Sequence, residues 1–81
     1  MNVRTELVNL MKSLRFDERE LLDEAHLKND LEVDSTELVE IAVALSKLLQ
    51  KRIEDTELRA IRTFGELVGF VQKCRLQDSA V

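Results

Sequence analysis

A helix start is encoded in the segment Leu27-Lys28-Asn29-Asp30-Leu31-Glu32-Val33-Asp34-Ser35-Thr36-Glu37-Leu38-Val39-Glu40. The segment passes from a short loop that contains several apolar residues into an amphipathic helix. Asp34 can accept hydrogen bonds from the exposed N–H groups of a helix start, and Glu37, three residues later, can reach back to it. We therefore expect Ser35 in the first turn of this helix, with a hydroxyl that is open to modification.

Apolar residues recur at the helical spacing on both sides of this segment. The first helix is expected from about Val3 to Leu14. The helix that follows Asp34 has an apolar stripe made of Leu38, Ile41, Ala42, Leu45, Leu48 and Leu49. A short third helix is expected over 55–61, and a last helix from the cap signal at 63–66 to near Arg75. The stripe predicts an apolar cleft between the second and third helices.

The connection between the first two helices, residues 15–34, shows no regular periodicity. Residues 16–20 could form a short turn. The apolar residues expected to hold the loop on the core are Phe16, Leu21 or Leu22, Leu27 and Leu31. A connection of this length is uncommon in a compact domain and indicates a function. The predicted fold is all-α, an irregular four-helix bundle with a long first loop and a short third helix.

Size and composition limit the possibilities further. With 81 residues the chain supports one core, so residues 1–81 are expected to form a single domain. The lone Cys74 cannot form an intramolecular disulfide and no leader precedes the first helix, which predicts a cytoplasmic location. The longest apolar run, 41–45, is far shorter than the roughly 18 residues of a membrane-spanning helix, which predicts a soluble protein.

Charge is unevenly distributed along the chain, whose net charge is −4. Residues 17–40 contain ten acids and two bases, whereas the segments on either side are each about +2. An acidic surface repels nucleic-acid phosphates and attracts basic patches on other proteins. We therefore expect partners that present Arg and Lys, and no nucleic-acid binding, although a plain solvated surface is the alternative.

The other residues with chemical potential have weak support as sites. His26 is the only histidine and has no Cys nearby in sequence, so neither a metal site nor a Ser-His pair is expected, and it is interpreted as a solvated loop residue. Cys74 continues the inner stripe of the last helix and is expected to be a half-buried structural thiol. Basic residues without interleaved aromatics, which indicate a solvated face or a secondary partner contact, are Lys47, Lys51, Arg52, Arg59 and Arg62.

The segment around Ser35 resembles the attachment motif of acyl carrier proteins, in which a phosphopantetheinyl transferase esterifies a serine with 4′-phosphopantetheine. The residues that match this motif in order and spacing are Leu27, Asp30, Leu31, Val33, Asp34 and Ser35. Matches continue downstream at Glu37, Val39, Glu40, Ala44, Leu45 and Ile53, so the likeness covers nearly the whole chain. The resemblance implies that Ser35 carries 4′-phosphopantetheine and that Asp34 orients the serine loop and helps the transferase bind its metal ion.

The resemblance also implies a function without catalysis. The protein would hold acyl intermediates as thioesters and present them to enzymes of fatty-acid, lipid or polyketide-type synthesis. Its partners would be the transferase and acyl-loading and acyl-processing enzymes with basic patches, which would contact a monomer at Thr36, Glu37 and Glu40. An aminoacyl or peptidyl carrier would share the fold and the serine. A small helical interaction domain with an incidental Asp-Ser pair is the alternative from another class.

Three departures from the family pattern stand out. Glu32 occupies a position where the family generally has Gly, which implies either an ordinary backbone conformation or strain in that turn. Thr36 replaces the usual Leu after the serine. Further along, Ser46-Lys47-Leu48 and Lys51-Arg52 replace an acidic run. The first two changes bear on the choice of transferase, whereas the third favours a specialised carrier over a primary fatty-acid carrier.

Overall fold

The first helix, α1, spans Val3–Ser13 in the computed structural model, which describes residues 2–79, with side chains described through Arg75. Its start is capped by Asn2, whose side chain accepts a hydrogen bond from the Arg4 N–H at 2.9 Å. Leu7 and Met11, one turn apart, are completely buried. The predicted helix is confirmed to within one residue.

Three further helices complete the bundle. They are α2 (Ser35–Leu49), α3 (Asp55–Leu58) and α4 (Phe64–Ser79), and a single 3-10 turn at Glu18–Glu20 lies in the first connection. Helix α1 packs against α4, and α2 packs against α3. Residues 2–79 contain no β-strand. The prediction of an all-α, irregular four-helix bundle is confirmed.

Two predicted helix ends are wrong. Helix α3 ends at Leu58, three residues before the predicted Ile61, because the chain closes a tight turn there in which the Ile61 N–H donates to the Leu58 carbonyl at 3.0 Å. Helix α4 continues to Ser79, past the predicted end near Arg75. The residues between these two positions include no Gly or Pro that would stop a helix.

The long first connection is held on the core by apolar side chains. Its buried residues are Leu21, Ala25, Leu27, Leu31 and Val33, whereas Phe16 is half-buried. Of the two candidates in the middle of the loop, Leu21 is buried, while Leu22 is 54% exposed. These anchors extend the hydrophobic core beyond the helices, so the loop is a packed part of the fold.

Backbone hydrogen bonds join this loop to the segment before α4. We call segments 23–27 and 62–65 the loop clasp. The Leu27 N–H donates to the Arg62 carbonyl at 2.9 Å, and the Phe64 N–H donates to the Ala25 carbonyl at 2.9 Å. Gly65 lies so close that a Cβ there would come within 3.0 Å of the Asp23 carbonyl oxygen. The absence of a side chain at this position therefore permits the close approach.

Polar side chains join the helices at two further places. The Arg75 guanidinium contacts the Glu6 carboxylate at 2.6 Å, which ties α4 to α1. On α2, the half-buried Ser46 hydroxyl accepts a hydrogen bond from the Ile53 N–H at 3.0 Å. Ile53 itself is buried, so this bond satisfies a backbone donor that has little access to water and fixes the connection between α2 and α3.

Candidate functional site

Helix α2 begins with a complete capping box. The Asp34 carboxylate accepts a hydrogen bond from the Glu37 N–H at 2.8 Å, and the Glu37 carboxylate accepts one from the Asp34 N–H at 3.3 Å. The predicted cap is therefore confirmed, with both of its bonds formed. This geometry makes Ser35 the first residue of the helix, and its side chain lies at the exposed surface.

The loop immediately before Asp34 folds back on itself. The His26 N–H donates to the Asp30 carboxylate at 2.8 Å, and the Leu31 N–H donates to the His26 carbonyl at 3.0 Å. One step later, the Val33 N–H donates to the Leu27 carbonyl at 2.8 Å. Because the loop clasp fixes the same segment, the loop that leads into α2 is held both by its own hydrogen bonds and by the segment before α4.

Glu32 adopts a left-handed backbone conformation, with φ at +55°. Its neighbours Leu31 and Val33 both point into the core, so the chain must turn sharply between them. A side chain with a Cβ is strained in this region by roughly 1–2 kcal/mol, whereas Gly is not. Of the two conformations that the sequence left open for Glu32, the structure therefore adopts the strained one.

This strain predicts a stabilising substitution. Glu32→Gly should raise the free energy of unfolding by about 0.5–1 kcal/mol, since relief of strain exceeds the extra freedom that Gly gives the unfolded chain. Urea denaturation followed by circular dichroism measures the change. Glu24→Gly is the matched control, because Glu24 is an exposed loop residue without a positive φ and its replacement should destabilise the protein. Equal destabilisation by both variants would contradict the prediction.

The exposed surface that follows Ser35 along α2 is partly acidic and partly apolar. Glu40 is exposed and Glu37 is half-buried by its role in the cap. Val39 and Val43 are 45% and 50% exposed, one and two helical turns after Ser35. Sequence reasoning did not identify these valines as surface residues, although their spacing of four and eight residues from Ser35 places them on one side of the helix.

A groove of about 660 Å³ lies beside Ser35. It is lined by His26, Leu27, Lys28, Asn29, Val33, Asp34, Ser35, Leu38, Leu58, Arg59, Ile61 and Arg62. Its size is typical of small-molecule sites. The expected cleft between the second and third helices therefore exists only in part: Leu38 lines it, whereas Ile41 and Leu45 are completely buried in the core. The groove is also less apolar than expected, because charged residues from the loops line it.

The remaining candidates occupy structural positions. His26 is an exposed loop residue, and Cys74 is buried, not half-buried as expected. In the part of the chain that the structure describes, no group of three His, Cys, Asp or Glu side chains is arranged to hold a metal ion. None of the described helices combines the length and the apolar character required to cross a bilayer.

Comparison with known proteins identifies the family. Residues 6–71 match the family described as "Phosphopantetheine attachment site". Acyl carrier protein 2 of Ralstonia nicotianae is 34% identical over 74 residues, which cover 84% of this chain and 90% of that protein. The acyl carrier protein of Thermotoga maritima is 31% identical over 78 residues, which cover 90% of this chain and 96% of that protein.

A third relative is the meromycolate extension acyl carrier protein of Mycobacterium tuberculosis, which is 37% identical over 54 residues, or 67% of this chain and 47% of that protein. The fold and these matches define a phosphopantetheine-bearing carrier domain. The chain belongs to the acyl carrier protein family. Its cofactor is 4′-phosphopantetheine, and it is a carrier without catalytic activity of its own.

Proposed function

We propose that Ser35 is the residue that bears 4′-phosphopantetheine. The observation that carries this proposal is the contrast between the serines of the matched region. The Ser46 hydroxyl is half-buried and hydrogen-bonded to the Ile53 backbone, and the Ser13 hydroxyl donates to the Leu10 carbonyl at 2.5 Å. Ser35 alone among these three serines is exposed at a capped helix start beside a groove.

The residues around Ser35 suit the chemistry of the group. A phosphodiester at this serine would lie at the positive end of the α2 dipole, near the first N–H groups of the helix. Asp34 holds this helix start through its bond to the Glu37 N–H. Its carboxylate is also available, on this proposal, to the metal ion of the transferase. When attached, the group supplies a terminal thiol on which acyl cargo is held as a thioester.

The proposed role is to present thioester-bound acyl intermediates to enzymes of fatty-acid, lipid or polyketide-type synthesis. The basic residues Lys47, Lys51 and Arg52 in the second half of α2 and beyond support a specialised carrier that serves a dedicated pathway. The relative named for meromycolate extension agrees with such specialisation. We further propose that residues 1–81 act as a single, monomeric, cytoplasmic domain.

Partner enzymes would contact a surface that we call the docking face, formed by Thr36, Glu37, Val39, Glu40 and Val43. Its two exposed valines supply apolar contact area, and its acids attract basic patches. The phosphopantetheinyl transferase and the acyl-handling enzymes would use this face in turn. Because it begins one residue after Ser35, a partner seated on it would have its active site close to the arm.

The direct test is modification in vitro. The purified protein is incubated with coenzyme A and a broad-specificity phosphopantetheinyl transferase, and its intact mass is then measured. A gain of one phosphopantetheine group, located on the peptide that contains Ser35, is the expected result. An unchanged mass under conditions that modify a reference carrier would contradict the proposed function.

Recognition by charge gives a second prediction. The double variant Glu37→Gln/Glu40→Lys keeps a residue that can complete the capping box but removes the acidic patch. Its rate of modification should fall roughly tenfold at low salt, because steering of the encounter is lost. The wild-type advantage should shrink as added salt screens exposed charges over about 8–10 Å.

Lys47→Glu/Lys51→Glu is the matched control for this prediction. It changes the charge by a greater amount, and in the opposite direction, on the same helix and the residues after it. Because these positions lie away from Ser35, its modification rate should stay close to wild type. Steady-state kinetics at several salt concentrations measure both variants. A larger decrease in modification rate in the lysine variant than in the glutamate variant would mean that the transferase binds the basic end of α2.

A further inference from the structure

The groove beside Ser35 has a charge opposite to that of the chain around it. Its lining includes three cationic side chains, Lys28, Arg59 and Arg62, and only one carboxylate, Asp34. The chain as a whole carries −4, and residues 17–40 hold ten acids against two bases. Positive charge is therefore concentrated in the groove where cargo on Ser35 would be sheltered.

These cations come from segments outside α2, and most of them form no ion pair among the residues that the structure describes. Lys28 belongs to the loop before α2, Arg59 follows α3 and Arg62 precedes α4, whereas none of them lies on α2. Arg59 contacts Asp55 at 3.1 Å in an exposed pair. Among the residues that the structure describes, Lys28 and Arg62 form no ion pair. The loop clasp joins the residue after Arg62 to the residue before Leu27, which keeps the two backbones adjacent.

The apolar part of the same groove comes from Leu38, Leu58 and Ile61, of which Leu58 is almost completely buried. A groove that combines an apolar floor with cationic side chains fits a ligand that is apolar along its length and anionic at its end. Arg and Lys bind carboxylates through charge-assisted hydrogen bonds, which are stronger than neutral ones. A purely hydrocarbon chain could not form such hydrogen bonds with the cationic side chains of the groove.

We propose, on the basis of the function proposed for Ser35, that this carrier is adapted to acyl cargo with a carboxylate at the end remote from the thioester. The chain of the cargo would lie on the apolar floor, and its carboxylate would contact Lys28 and Arg62. The phosphodiester of the arm is the other possible anion. It would be fixed at Ser35 on α2, where the helix start already provides N–H groups, while the cations belong to segments outside α2.

The test compares two cargoes of equal carbon number. The full-length protein is loaded by a phosphopantetheinyl transferase from octanoyl-coenzyme A and from the coenzyme A thioester of octanedioic acid, and intact mass verifies the loading. The rate at which hydroxylamine cleaves each protein thioester is then measured. This rate is divided by the cleavage rate of the corresponding free coenzyme A thioester. In wild type, the carboxylate-ended cargo should be cleaved roughly two- to fivefold more slowly than octanoyl, as expected for one partly exposed ion pair.

Two variants identify the groups responsible. Lys28→Gln/Arg62→Gln should abolish the difference between the cargoes, whereas Lys47→Gln/Lys73→Gln, which removes two exposed cations outside the groove, should preserve it. Equal protection of both cargoes in wild type, or a difference that survives in the groove variant, would overturn the proposal. Failure to load either cargo would instead count against the function proposed for Ser35.

Nuclear magnetic resonance separates the two anion sources. The Arg62 side-chain N–H signals are followed in the apo protein, in the protein with the arm alone and in the two loaded forms. A shift that appears with the carboxylate-ended cargo supports the proposal. A shift that is complete with the arm alone, and unchanged by either cargo, would assign the cations to the arm phosphate and overturn it.

Discussion

Ser35→Ala should remove all modification by a phosphopantetheinyl transferase while leaving the fold intact. The hydroxyl is exposed, and the cap of α2 depends on Asp34 and Glu37, not on the serine. Loss of an exposed hydroxyl at a helix start should change the free energy of unfolding by at most about 1 kcal/mol. Intact mass after incubation with coenzyme A measures the first effect, and thermal unfolding followed by circular dichroism measures the second.

Ser13→Ala is the matched control, since Ser13 is also exposed at a helix end but lies at the last residue of α1. This variant should gain one phosphopantetheine group at the wild-type rate. If the Ser35→Ala protein were still modified, the attachment residue would have to be sought elsewhere in the matched region. If it unfolded, the serine would have a structural role that its exposure does not indicate.

The second large effect is expected at Asp34, where two substitutions separate structure from recognition. Asn is as good an N-cap as Asp, so Asp34→Asn should keep the bond from the Glu37 N–H and change stability by less than about 0.5 kcal/mol. It removes the negative charge, however. If the carboxylate contributes to the metal site of the transferase complex, modification should slow by roughly 30-fold or more, the effect of losing one partner of a close charge pair.

Asp34→Ala removes the cap together with the charge. Its modification should slow by the same factor as that of Asp34→Asn. In addition, its free energy of unfolding should fall by about 1 kcal/mol. Transferase kinetics and urea denaturation on both variants measure the two effects independently. Wild-type kinetics in the Asn variant, combined with slow modification of the Ala variant, would show that Asp34 acts only by holding the start of α2.

The helices of this protein could be predicted because their determinants are local. The capping box at Asp34 and Glu37 depends on residues three positions apart, and both of its hydrogen bonds form as expected. The end of α3 was missed because it is set by tertiary packing: the chain turns after Leu58 so that the following residues can reach the loop clasp. The periodicity of apolar residues along a helix does not reveal such tertiary contacts between segments that are far apart in sequence.

The site could be predicted only in part for the same reason. Ser35 and Asp34 stand in one short motif, so their juxtaposition is visible in the sequence. The groove combines residues from the loop, from α2 and from the connection after α3. Arg59 and Arg62 were expected to belong to a solvated face or a secondary partner contact, since only the folded chain brings them to the groove that Lys28 and Ser35 also line. Their position in the groove depends on where the connection after α3 lies, not on their spacing in the sequence.

At Glu32 the sequence left two backbone conformations open and did not determine which of them forms. The departure from Gly left an ordinary and a strained conformation open, and the structure adopts φ at +55°. The strained conformation forms because it allows both flanking residues, Leu31 and Val33, to be buried. The free energy gained by burying these two side chains exceeds the cost of the backbone strain at Glu32. The competing energies involve tertiary contacts of the neighbours, which no local pattern at Glu32 reveals.

The loop clasp distinguishes the start of α2 in this chain from an ordinary helix cap. An Asp-Ser pair at a helix start is common, since both residues are favoured there on any protein. The pairing of segments 23–27 and 62–65 demands more of the sequence than a cap does. It includes a residue without a side chain, Gly65, where the chain approaches Asp23. In this chain, hydrogen bonds between distant segments therefore hold the loop that leads to Ser35, which an isolated Asp-Ser cap would not require.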